Sequence, residues 1–407
     1  MSNWSQVALG ECATIVSGAT PKTSMPEYWN GNVSWATPTD IANLSDGFCR
    51  ATARQISELG LQSCAATILP PGSVLFSSRA PIGHVAINTV PLATNQGFKS
   101  LIPGDRLCNR YLYWWLKAHR PFLESLGNGA TFKEVSKAVV ERIEIPLPPL
   151  DEQRRIAAIL DQTDALRQLC ERALLLLAAL EESKFWDLFV EEQDDPLVKV
   201  SSVAASIRTG PFGSQLLHSE FTDQGVAVLG IDNAVSNEFV WAKSRFISEA
   251  KYQVLKRYRV YPGDVLLTIM GTCGRVAIVP EGIPISINTK HLCCITPDTS
   301  KVLPEYLHGA LLRHPNVLRQ LGVSERGAVM PGLNMQLIKD AEIPLPSMER
   351  QNQYTQFVAQ VRSQTILDRN RLLKANQLFA SLQHRAFSGE LTSAASATEM
   401  RKIANTV

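Results

Sequence analysis

One short proline-rich stretch occurs twice in this chain, each time directly before a long helical pattern. The first copy spans Glu144–Ile156, and the second begins at Glu342 with the same Glu-Ile-Pro-Leu-Pro order. Residues that precede proline are kept out of the α conformation, so each copy begins as an extended strand. The acidic and amide residues that follow favour the first turn of a helix, where N–H groups are free and the helix dipole is positive. The repeat therefore predicts two equivalent strand-to-helix transitions.

The duplication extends over most of the chain. Matched positions follow in the same order in both halves: Pro71–Phe76 with Pro262–Leu267, Gly83–Ile87 with Gly274–Ile278, Ile15 and Gly18 with Ile207 and Gly210, Asp40 with Asp232, Tyr111–Leu112 with Tyr306–Leu307, and Gly129–Ala130 with Gly327–Ala328. Self-similarity over this length indicates that one structural unit was copied.

Each copied unit combines strand and helix patterns. Short apolar runs between glycines and prolines predict strands at Val74–Ser77, His84–Ile87, Val226–Gly230, Val265–Ile269 and Val276–Val279. Two longer runs, Leu107–Ser125 and Pro304–Leu321, predict helices, with Trp114, Trp115 and Leu116 on buried faces. We therefore predict two similar globular lobes of the mixed α+β class.

A heptad pattern follows each lobe. In the first pattern the apolar positions are Ile159, Thr163, Leu166, Cys170, Ala173, Leu177 and Leu180; in the second they are Val358, Val361, Thr365, Asp368, Leu372, Ala375, Phe379, Leu382 and Ala386. Heptads favour the packing of one helix against another. We predict that the two helices form an intramolecular antiparallel coiled coil that separates lobes related by a pseudo-two-fold axis. The alternative is that each helix packs on its own lobe.

These patterns divide the chain into five segments. They are a first lobe at 1–150, a central long helix at 151–192, a second lobe at 193–348, a C-terminal long helix at 349–388 and a polar tail at 389–407. The tail has no apolar periodicity, which is typical of a frayed chain end.

Composition excludes several classes of protein. The chain has 407 residues, of which 45% are hydrophobic and 19% charged, with a net charge of +2, so any basic surface must be local. The eight cysteines form no CxxC pair, which argues against a zinc site and for reduced thiols in the cytoplasm. The start of the chain has no secretion signal, and its apolar runs are too short to cross a membrane. Phosphate-loop, GxGxxG, GxSxG and HExxH motifs are missing from the sequence.

A duplicated, loop-rich, two-lobed chain suits duplex DNA, on which half-sites lie about one helical turn or its multiples apart. Polar and basic residues beside the repeated turns are the candidate contacts. In the first lobe they are Arg79, His84, Asn95, Gln96, Lys99 and Lys133; in the second they are Arg275, Asn288, Lys290, His291, Arg326 and Asn334. Arginine and amide side chains can bond base edges in pairs, while lysine more often holds phosphate. Each of these residues, taken singly, also fits an ordinary turn or surface position.

The sequence resembles the specificity subunit of type I restriction–modification enzymes. Similar motifs are the Ile145–Ile156 hallmark, the Ser17–Pro21 opening with Pro26–Trp29 and Trp35, the different Gly210–Ser214 opening, Gly127–Lys133, and the Ala386–Leu391 ending. The second hallmark departs from the family pattern, because Ser347–Arg350 replaces Pro-Leu-Asp-Glu. The likeness covers nearly the whole chain.

The resemblance implies a non-catalytic reader of double-stranded DNA. Each lobe would be a target recognition domain for one half of a split, asymmetric target, and the helix pair would set the gap. Two modification subunits with S-adenosylmethionine would methylate adenine, and restriction subunits would add ATP- and Mg²⁺-dependent translocation and cleavage. This chain itself would hold no cofactor or metal.

Two other classes of function remain open from the residues. One is a single-chain DNA methyltransferase or nuclease with a divergent active site. Glu182–Lys184 has the letters of a nuclease motif, but it lies on the predicted helix without a partner acid upstream. The other is a helical scaffold protein that does not contact DNA.

Overall fold

The computed structural model describes residues 4–79, 81–128, 133–191, 194–241, 245–323 and 332–391. The chain forms two compact units. The first unit comprises Met1–Ala173 and Asp368–Val407, and the second comprises Leu174–Leu367. Each unit therefore contains one globular lobe and one half of each long helix.

In the described residues of the first lobe there are ten strands and six short α-helices. The strands are β1 (Gln6–Ala8), β2 (Ala13–Ser17), β3 (Trp29–Ala36), β4 (Phe48–Cys49), β5 (Arg54–Ile56), β6 (Val74–Phe76), β7 (Val85–Asn88), β8 (Ala93–Thr94), β9 (Lys99–Pro103) and β10 (Glu144–Pro146). The helices are α1 (Leu9–Cys12), α2 (Pro38–Ile41), α3 (Glu58–Gln62), α4 (Asn109–Ala118), α5 (Arg120–Ser125) and α6 (Lys137–Glu141). The long helix α7 (Leu150–Phe189) follows.

The second lobe has the corresponding elements. Its strands are β11 (Leu197–Lys199), β12 (Ala204–Thr209), β13 (Phe221–Thr222), β14 (Val226–Leu229), β15 (Phe246–Ile247), β16 (Arg259–Val260), β17 (Val265–Thr268), β18 (Val276–Ile278), β19 (Ser286–Asn288), β20 (Leu292–Pro297) and β21 (Glu342–Pro344). Its helices are α8 (Glu249–Leu255), α9 (Pro304–Arg313), α10 (Pro315–Leu321) and α11 (Met335–Asp340), followed by the long helix α12 (Met348–Ser388).

Both lobes contain the same three kinds of sheet. The proline-rich strands β10 and β21 pair antiparallel with the first strands of their lobes, β1 and β11. A larger sheet has the order β2-β9-β6-β7-β4 in the first lobe and β12-β20-β17-β18 in the second. A third sheet has the order β5-β3-β8 in the first lobe and β13-β15-β14-β19-β16 in the second. The predicted duplication and mixed fold class are thus confirmed.

The strand-to-helix transition is held by a buried glutamine in each unit. In the first unit the side chain of Gln153, which is fully buried, accepts a hydrogen bond from the Cys108 N–H at 2.8 Å. Its amide donates to the carbonyl oxygens of Arg106 and Pro148 at 2.9 and 2.8 Å. One side chain therefore joins the start of α7 to the proline stretch and to the segment that enters α4.

The second unit repeats this arrangement. Gln351, also fully buried, accepts from the Leu303 N–H at 2.8 Å and donates to the carbonyl oxygens of Lys301 and Pro346 at 3.0 and 2.9 Å. The strand-to-helix prediction is therefore confirmed in both copies, although the second hallmark departs from the family pattern.

Helix packing in the first unit is antiparallel. Arg155 near the start of α7 donates to the carbonyl oxygen of Leu391 just after α12, and Arg167 further along α7 bonds Asn376 at 2.7 Å. The last turns of α12 also contact the first lobe, where the ring of Phe379 lies 5.4 Å from that of Trp114. Both helices therefore pack on each other and on this lobe.

The second unit has the equivalent arrangement, in which the start of α12 lies beside the end of α7. Arg350 at the start of α12 donates to the carbonyl oxygen of Leu188 near the end of α7 at 3.2 Å, so the two helix halves are antiparallel here too. Phe185 and Phe189 of α7 contact Tyr354 of α12 and Tyr306 of the lobe, with ring centroids 4.7–6.3 Å apart. The alternative in which a helix packs only on the lobe that precedes it is therefore wrong.

The heptad prediction needs correction at Leu180. Ile159, Val358 and Val361 are buried and Leu166, Leu177, Leu372 and Phe379 are partly buried, but Leu180 is 50% exposed. A straight helix drifts by about 20° per heptad from a 3.5-residue repeat, so a pattern that starts at Ile159 leaves the buried face after three repeats. Phe185 and Phe189 hold the end of α7 instead.

The predicted helices at Leu107–Ser125 and Pro304–Leu321 are each two helices. The breaks precede Pro121 and Pro315, which occupy the first turns of α5 and α10. Proline lacks the N–H that a continuous helix requires and fits the first turn of a new one. The predicted burial of Trp114, Trp115 and Leu116 is confirmed.

Replacement of Gln351 by alanine tests the role of the buried amide. The change leaves the Leu303 N–H and two carbonyl groups without partners and opens a cavity, so we expect a loss of about 3 kcal/mol in the free energy of unfolding. Chemical denaturation measures the loss in the free energy of unfolding, and hydrogen exchange of α9 measures the local loss of protection. Gln353→Ala, an exposed position in the same turn, should change stability by less than about 0.5 kcal/mol. Equal effects of the two changes would contradict this role.

Candidate nucleic-acid interface

Loops from distant parts of the first lobe meet at one edge. The N–H of Asn95 donates to the carbonyl oxygen of Ala36 at 3.0 Å, and the N–H of Ser78 donates to that of Gly97 at 2.8 Å. The N–H of Val135 then donates to the carbonyl oxygen of Ser78 at 2.8 Å. We call this surface the first loop edge and define it as Gly18–Thr20, Trp35–Thr37, Ser78–Arg79, Asn95–Gly97 and Lys133–Val135.

The second lobe has the same edge, bond for bond. The N–H of Thr289 donates to the carbonyl oxygen of Leu229 at 2.9 Å, and the N–H of Ile269 donates to that of His291 at 2.9 Å. The N–H of Leu333 donates to the carbonyl oxygen of Ile269 at 2.8 Å. The second loop edge is defined as Val228–Gly230, Ile269–Met270, Thr289–His291 and Gly332–Leu333.

Two predicted contact residues of the first lobe, Arg79 and Lys99, form ion pairs with one carboxylate. Arg79 and Lys99 both bind the carboxylate of Glu134, at 2.7 and 3.1 Å. Burial raises the pKa of Glu134, but the hydrogen bonds from Arg79 and Lys99 outweigh it and hold this pKa below its usual value. Lys99 is only 7% exposed, so it is not available to a duplex in this conformation, whereas Arg79 remains half-exposed.

The other predicted residues of the first lobe are more accessible. The Asn95 side chain accepts from the Gly97 N–H at 2.9 Å, so it shapes the loop at its tip. Gln96 is exposed, and its amide oxygen accepts from the Thr20 hydroxyl. Lys133 is exposed. His84 is half-buried, and this burial, together with Arg120, lowers its pKa.

His84 and Arg275 occupy equivalent hairpin turns. In the first lobe the Ser77 hydroxyl donates to the carbonyl oxygen of Pro81 and accepts from the His84 N–H, both at 2.8 Å. In the second lobe the Thr268 hydroxyl donates to that of Thr272 at 2.6 Å and accepts from the Arg275 N–H at 2.9 Å. Residues 271–274 therefore form a hairpin turn between β17 and β18.

The second edge retains some predicted contact residues and buries another. Lys290 and His291 are half-buried on the edge, and burial, Lys290 and Arg245 all lower the pKa of His291. Asn288 is fully buried, and its amide donates to the carbonyl oxygen of Leu292 at 3.0 Å, so we do not retain it as a DNA contact. Asn334 is exposed and caps α11 through the Gln336 N–H. Arg326 lies outside the described residues.

The sequence did not single out an aromatic and arginine cluster in the third sheet of the first lobe. The rings of Trp29 and Trp35 meet edge to face at 5.2 Å, and the guanidinium of Arg54 lies 3.9 Å from the Trp29 ring centroid. Trp35 joins this cluster to the first loop edge, because its indole N–H donates to the carbonyl oxygen of Ala19 at 3.0 Å. The two tryptophans and Arg54 come together only when β3 pairs with β5.

Other functional features are limited in the part of the chain that the structure covers. Within the described ranges, no group of three or more His, Cys, Asp or Glu side chains could hold a metal ion. Among those same residues, none of the helices has the length and hydropathy needed to span a bilayer. All eight cysteines are free thiols, and burial raises the pKa of Cys293 to about 12.

Comparison with known proteins assigns the chain to a class. Residues 1–176 and 190–377 match the family described as type I restriction modification DNA specificity domain. The chain is 28% identical to the MjaIX specificity subunit of Methanocaldococcus jannaschii, over 96% of this chain and 94% of that protein. It is 26% identical to the EcoBI specificity subunit of Escherichia coli, over 71% of this chain and 67% of that protein.

Solved structures share the fold. The S subunit of a type I restriction-modification system from M. genitalium superposes with a TM-score of 0.59, at 14% identity over 95% of this chain and 96% of that one. A chain from a solved structure of a type I restriction-modification complex also gives a TM-score of 0.59, at 18% identity over 95% of this chain and 98% of that one.

The chain belongs to the type I restriction–modification DNA specificity family. It is a DNA-recognition subunit, non-catalytic and without a cofactor of its own, and the enzymatic activities of the complex reside in partner subunits. Membership in this family supports the DNA-reading interpretation over a single-chain enzyme or a scaffold.

A buried histidine beside the Arg275 turn makes the second lobe sensitive to acid. Nε2 of His308 lies 3.1 Å from the carbonyl oxygens of Asn237 and Val276, so this nitrogen carries a proton and donates it. Burial and Arg313 lower the pKa of His308 to about 4. The ring is thus neutral in the folded lobe at pH values where the unfolded chain, with a pKa of about 6.5, already binds a second proton.

We expect the free energy of unfolding to fall as pH decreases from about 6.5 to about 4. Above this window His308 is neutral in both the folded and the unfolded state, so its contribution to the free energy of unfolding is fully present. Within the window the free energy of unfolding falls by up to about 1.4 kcal/mol for each unit of pH decrease. Chemical denaturation at a series of pH values, for wild type and His308→Gln, measures the difference in slope. The exposed His384→Gln is the control and should keep the wild-type slope. A His308→Gln slope equal to wild type would refute the assignment.

Proposed function

We propose that the two loop edges contact DNA and that each reads one half of a split, asymmetric target. One observation supports this proposal above the others: three backbone hydrogen bonds build the two edges in the same way, while the side chains that they present differ. Gln96 in the first edge corresponds to Lys290 in the second. In the hairpin turns that follow Ser78 and Ile269, His84 corresponds to Arg275. A shared frame with different donors and acceptors suits two unlike half-sites.

The side chains divide by the chemistry of their contacts. Gln96 has an amide that can bond adenine through a pair of hydrogen bonds, and Arg275 has the planar fork that suits guanine. Lys133 and Lys290 are point charges that suit phosphate oxygens. Arg79, His84, Asn95, His291, Asn334 and Arg326 remain further candidates.

The two long helices are proposed to set the gap between the half-sites. They measure 40 and 41 residues, and at about 1.5 Å per residue each extends about 60 Å. We retain 1–150 and 193–348 as target recognition domains and 151–192 and 349–388 as spacer segments.

The helices are also the proposed docking surface for two modification subunits. In the first unit Leu169 and Leu373 are 64% and 57% exposed, and in the second unit Leu176, Leu180 and Ile366 are 59%, 50% and 60% exposed. On α7 the three leucines follow a spacing of seven and four, which places them on one stripe of the helix. Exposed apolar stripes of this kind are typical of protein interfaces.

The partner subunits would supply the chemistry. We propose that the modification subunits carry S-adenosylmethionine and methylate adenine, and that restriction subunits use ATP and Mg²⁺. The complex would act on DNA in the cytoplasm.

An insertion tests the spacer and the proposed function together. Four residues inserted into α7 within residues 174–181, matched by four in α12 within residues 361–367, lengthen the pair by about 6 Å. One base pair rises about 3.4 Å, so the gap should grow by one or two base pairs while both half-site sequences stay the same. Single-molecule methylation mapping of a host with this chain and its methyltransferase reads the target directly. A control replaces the same segments with alanine-rich helix of unchanged length, and it should keep the wild-type gap. An unchanged gap after insertion would contradict the spacer.

Substitution of exposed leucines of the two long helices by glutamate tests the proposed docking of the methyltransferase subunits. Leu176→Glu and Leu373→Glu should each weaken co-purification of the methyltransferase subunit at least tenfold, because a carboxylate in an apolar interface loses its hydration. Gln360→Glu adds the same charge at an exposed position of α12 outside the stripe and should bind normally. Circular dichroism of each variant separates docking from folding. Full binding by both leucine variants would exclude this surface.

A further inference from the structure

Two arginines occupy equivalent positions in the third sheets of the two lobes. Arg54 of β5 lies opposite Trp35 of β3. In the second lobe Ala227 pairs with Phe246, and the next backbone bond, from the N–H of Val228 to the carbonyl oxygen of Arg245 at 2.9 Å, places Arg245 opposite Val228.

The neighbouring parallel strand confirms this register. β3 pairs in parallel with β8, with Ala36 opposite Thr94, and β14 pairs in parallel with β19, with Leu229 opposite Asn288. β8 and β19 lead directly into the Asn95–Gly97 and Thr289–His291 loops of the two edges. One central strand, β3 or β14, therefore separates each arginine from the strand that enters its loop edge.

Arg54 is held by stacking, and its guanidinium makes no hydrogen bond to the part of the chain that the structure describes. Its guanidinium lies 3.9 Å from the ring centroid of Trp29 and 5.3 Å from that of Trp35. The residue is exposed, and no carboxylate of the described residues lies within ion-pair distance of it. The indole N–H groups of Trp29 and Trp35 donate to the carbonyl oxygens of Lys22 and Ala19, which hold both rings in place. The result is a fixed, exposed fork of N–H donors.

Arg245 is held by a carboxylate instead. Its Nη2 donates to Asp232, and the side chain is 31% exposed. Gly230 leaves the space that the guanidinium occupies, since a Cβ there would lie 2.5 Å from Nη2. Arg245 is also close enough to His291 to help lower the pKa of that ring. Arg245 therefore lies beside the second loop edge, next to Gly230, with its orientation set by Asp232.

We propose that Arg54 and Arg245 are specificity-determining residues that each read a guanine, one in each half-site. This inference rests on the proposed DNA-reading function. A guanidinium that is fixed in the protein can donate two parallel hydrogen bonds to guanine O6 and N7, whereas a mobile lysine suits a phosphate. The competing explanation is that Arg54 only covers Trp29 and Arg245 only pairs with Asp232.

The test uses the complete complex of this chain with its methyltransferase subunit. Targets are mapped by single-molecule methylation sequencing for wild type, Arg54→Lys, Arg245→Lys and the control Arg50→Lys. Lysine retains the charge and the aliphatic stem but loses the fork. Arg50 is exposed and pairs with Asp46 in the same lobe as Arg54, so it controls for the loss of an arginine from this lobe.

We expect discrimination to fall at least tenfold at one G·C pair in one half-site for Arg54→Lys, and at one G·C pair in the other half-site for Arg245→Lys. The remaining bases and the gap should stay as in wild type, and Arg50→Lys should change nothing. An unchanged motif in both lysine variants, or an equal loss at all positions of a half-site, would overturn the inference and leave the proposed function intact. A wild-type complex without a two-part motif would instead overturn the proposed function, and this inference with it.

Discussion

Two neutral amide side chains, Gln153 and Gln351, connect the long helices to the lobes. Each lies where the chain leaves a proline-bound strand and where buried N–H and carbonyl groups would otherwise be without partners. Glutamine offers one acceptor and two donors, which is the set that these positions use. A carboxylate could not donate to the two carbonyl groups, and its burial would cost more. At each lobe, therefore, a single side chain satisfies the buried polar groups beside the start of the long helix.

Each compact unit is assembled from segments that are far apart in the chain. The core of the first unit includes Leu382 and Ala386 from α12 together with Ile156 and Leu160 from α7. The first lobe consequently covers its apolar surface completely only when the last helix has been made. Contacts over such sequence distances are slow to form, so we infer that closure of this unit is a late step in folding.

Much of the fold was accessible from the sequence because its signals are local. Both proline strands form where expected, and the five predicted strands and α12 lie within about one residue of their expected bounds, since glycine, proline and apolar periodicity act over a few residues. The helix α7 instead ends at Phe189, three residues before its predicted end at 192. Burial was harder to predict. Lys99 and Asn288 are polar residues beside turns, which are usually exposed, yet the tertiary structure buries both side chains inside the lobes.

The contact surface was predictable only in part for the same reason. The hairpin turn that presents Arg275 repeats that of His84 in the sequence, through the match of Gly83–Ile87 with Gly274–Ile278, so it could be found by comparing the two halves. Arg54 and Arg245 could not, because their equivalence depends on strand register, and the loops before them differ in length. A search for arginines opposite a central strand, once the strands are known, would have found both.

The two halves of this duplicated molecule differ in which element supplies the bulky side chain where a long helix packs on a lobe. The first lobe supplies Trp114 against Phe379 of α12, whereas the second lobe has Gly309 at the corresponding position and α7 supplies Phe185, whose ring would lie 2.6 Å from any added Cβ. The bulky partner thus comes from the lobe in one case and from the helix in the other. If the end of α7 packed on the first lobe, Phe185 would meet Trp114 instead of Gly309, so we infer that shape discourages mispairing between the two similar halves or between two nascent chains.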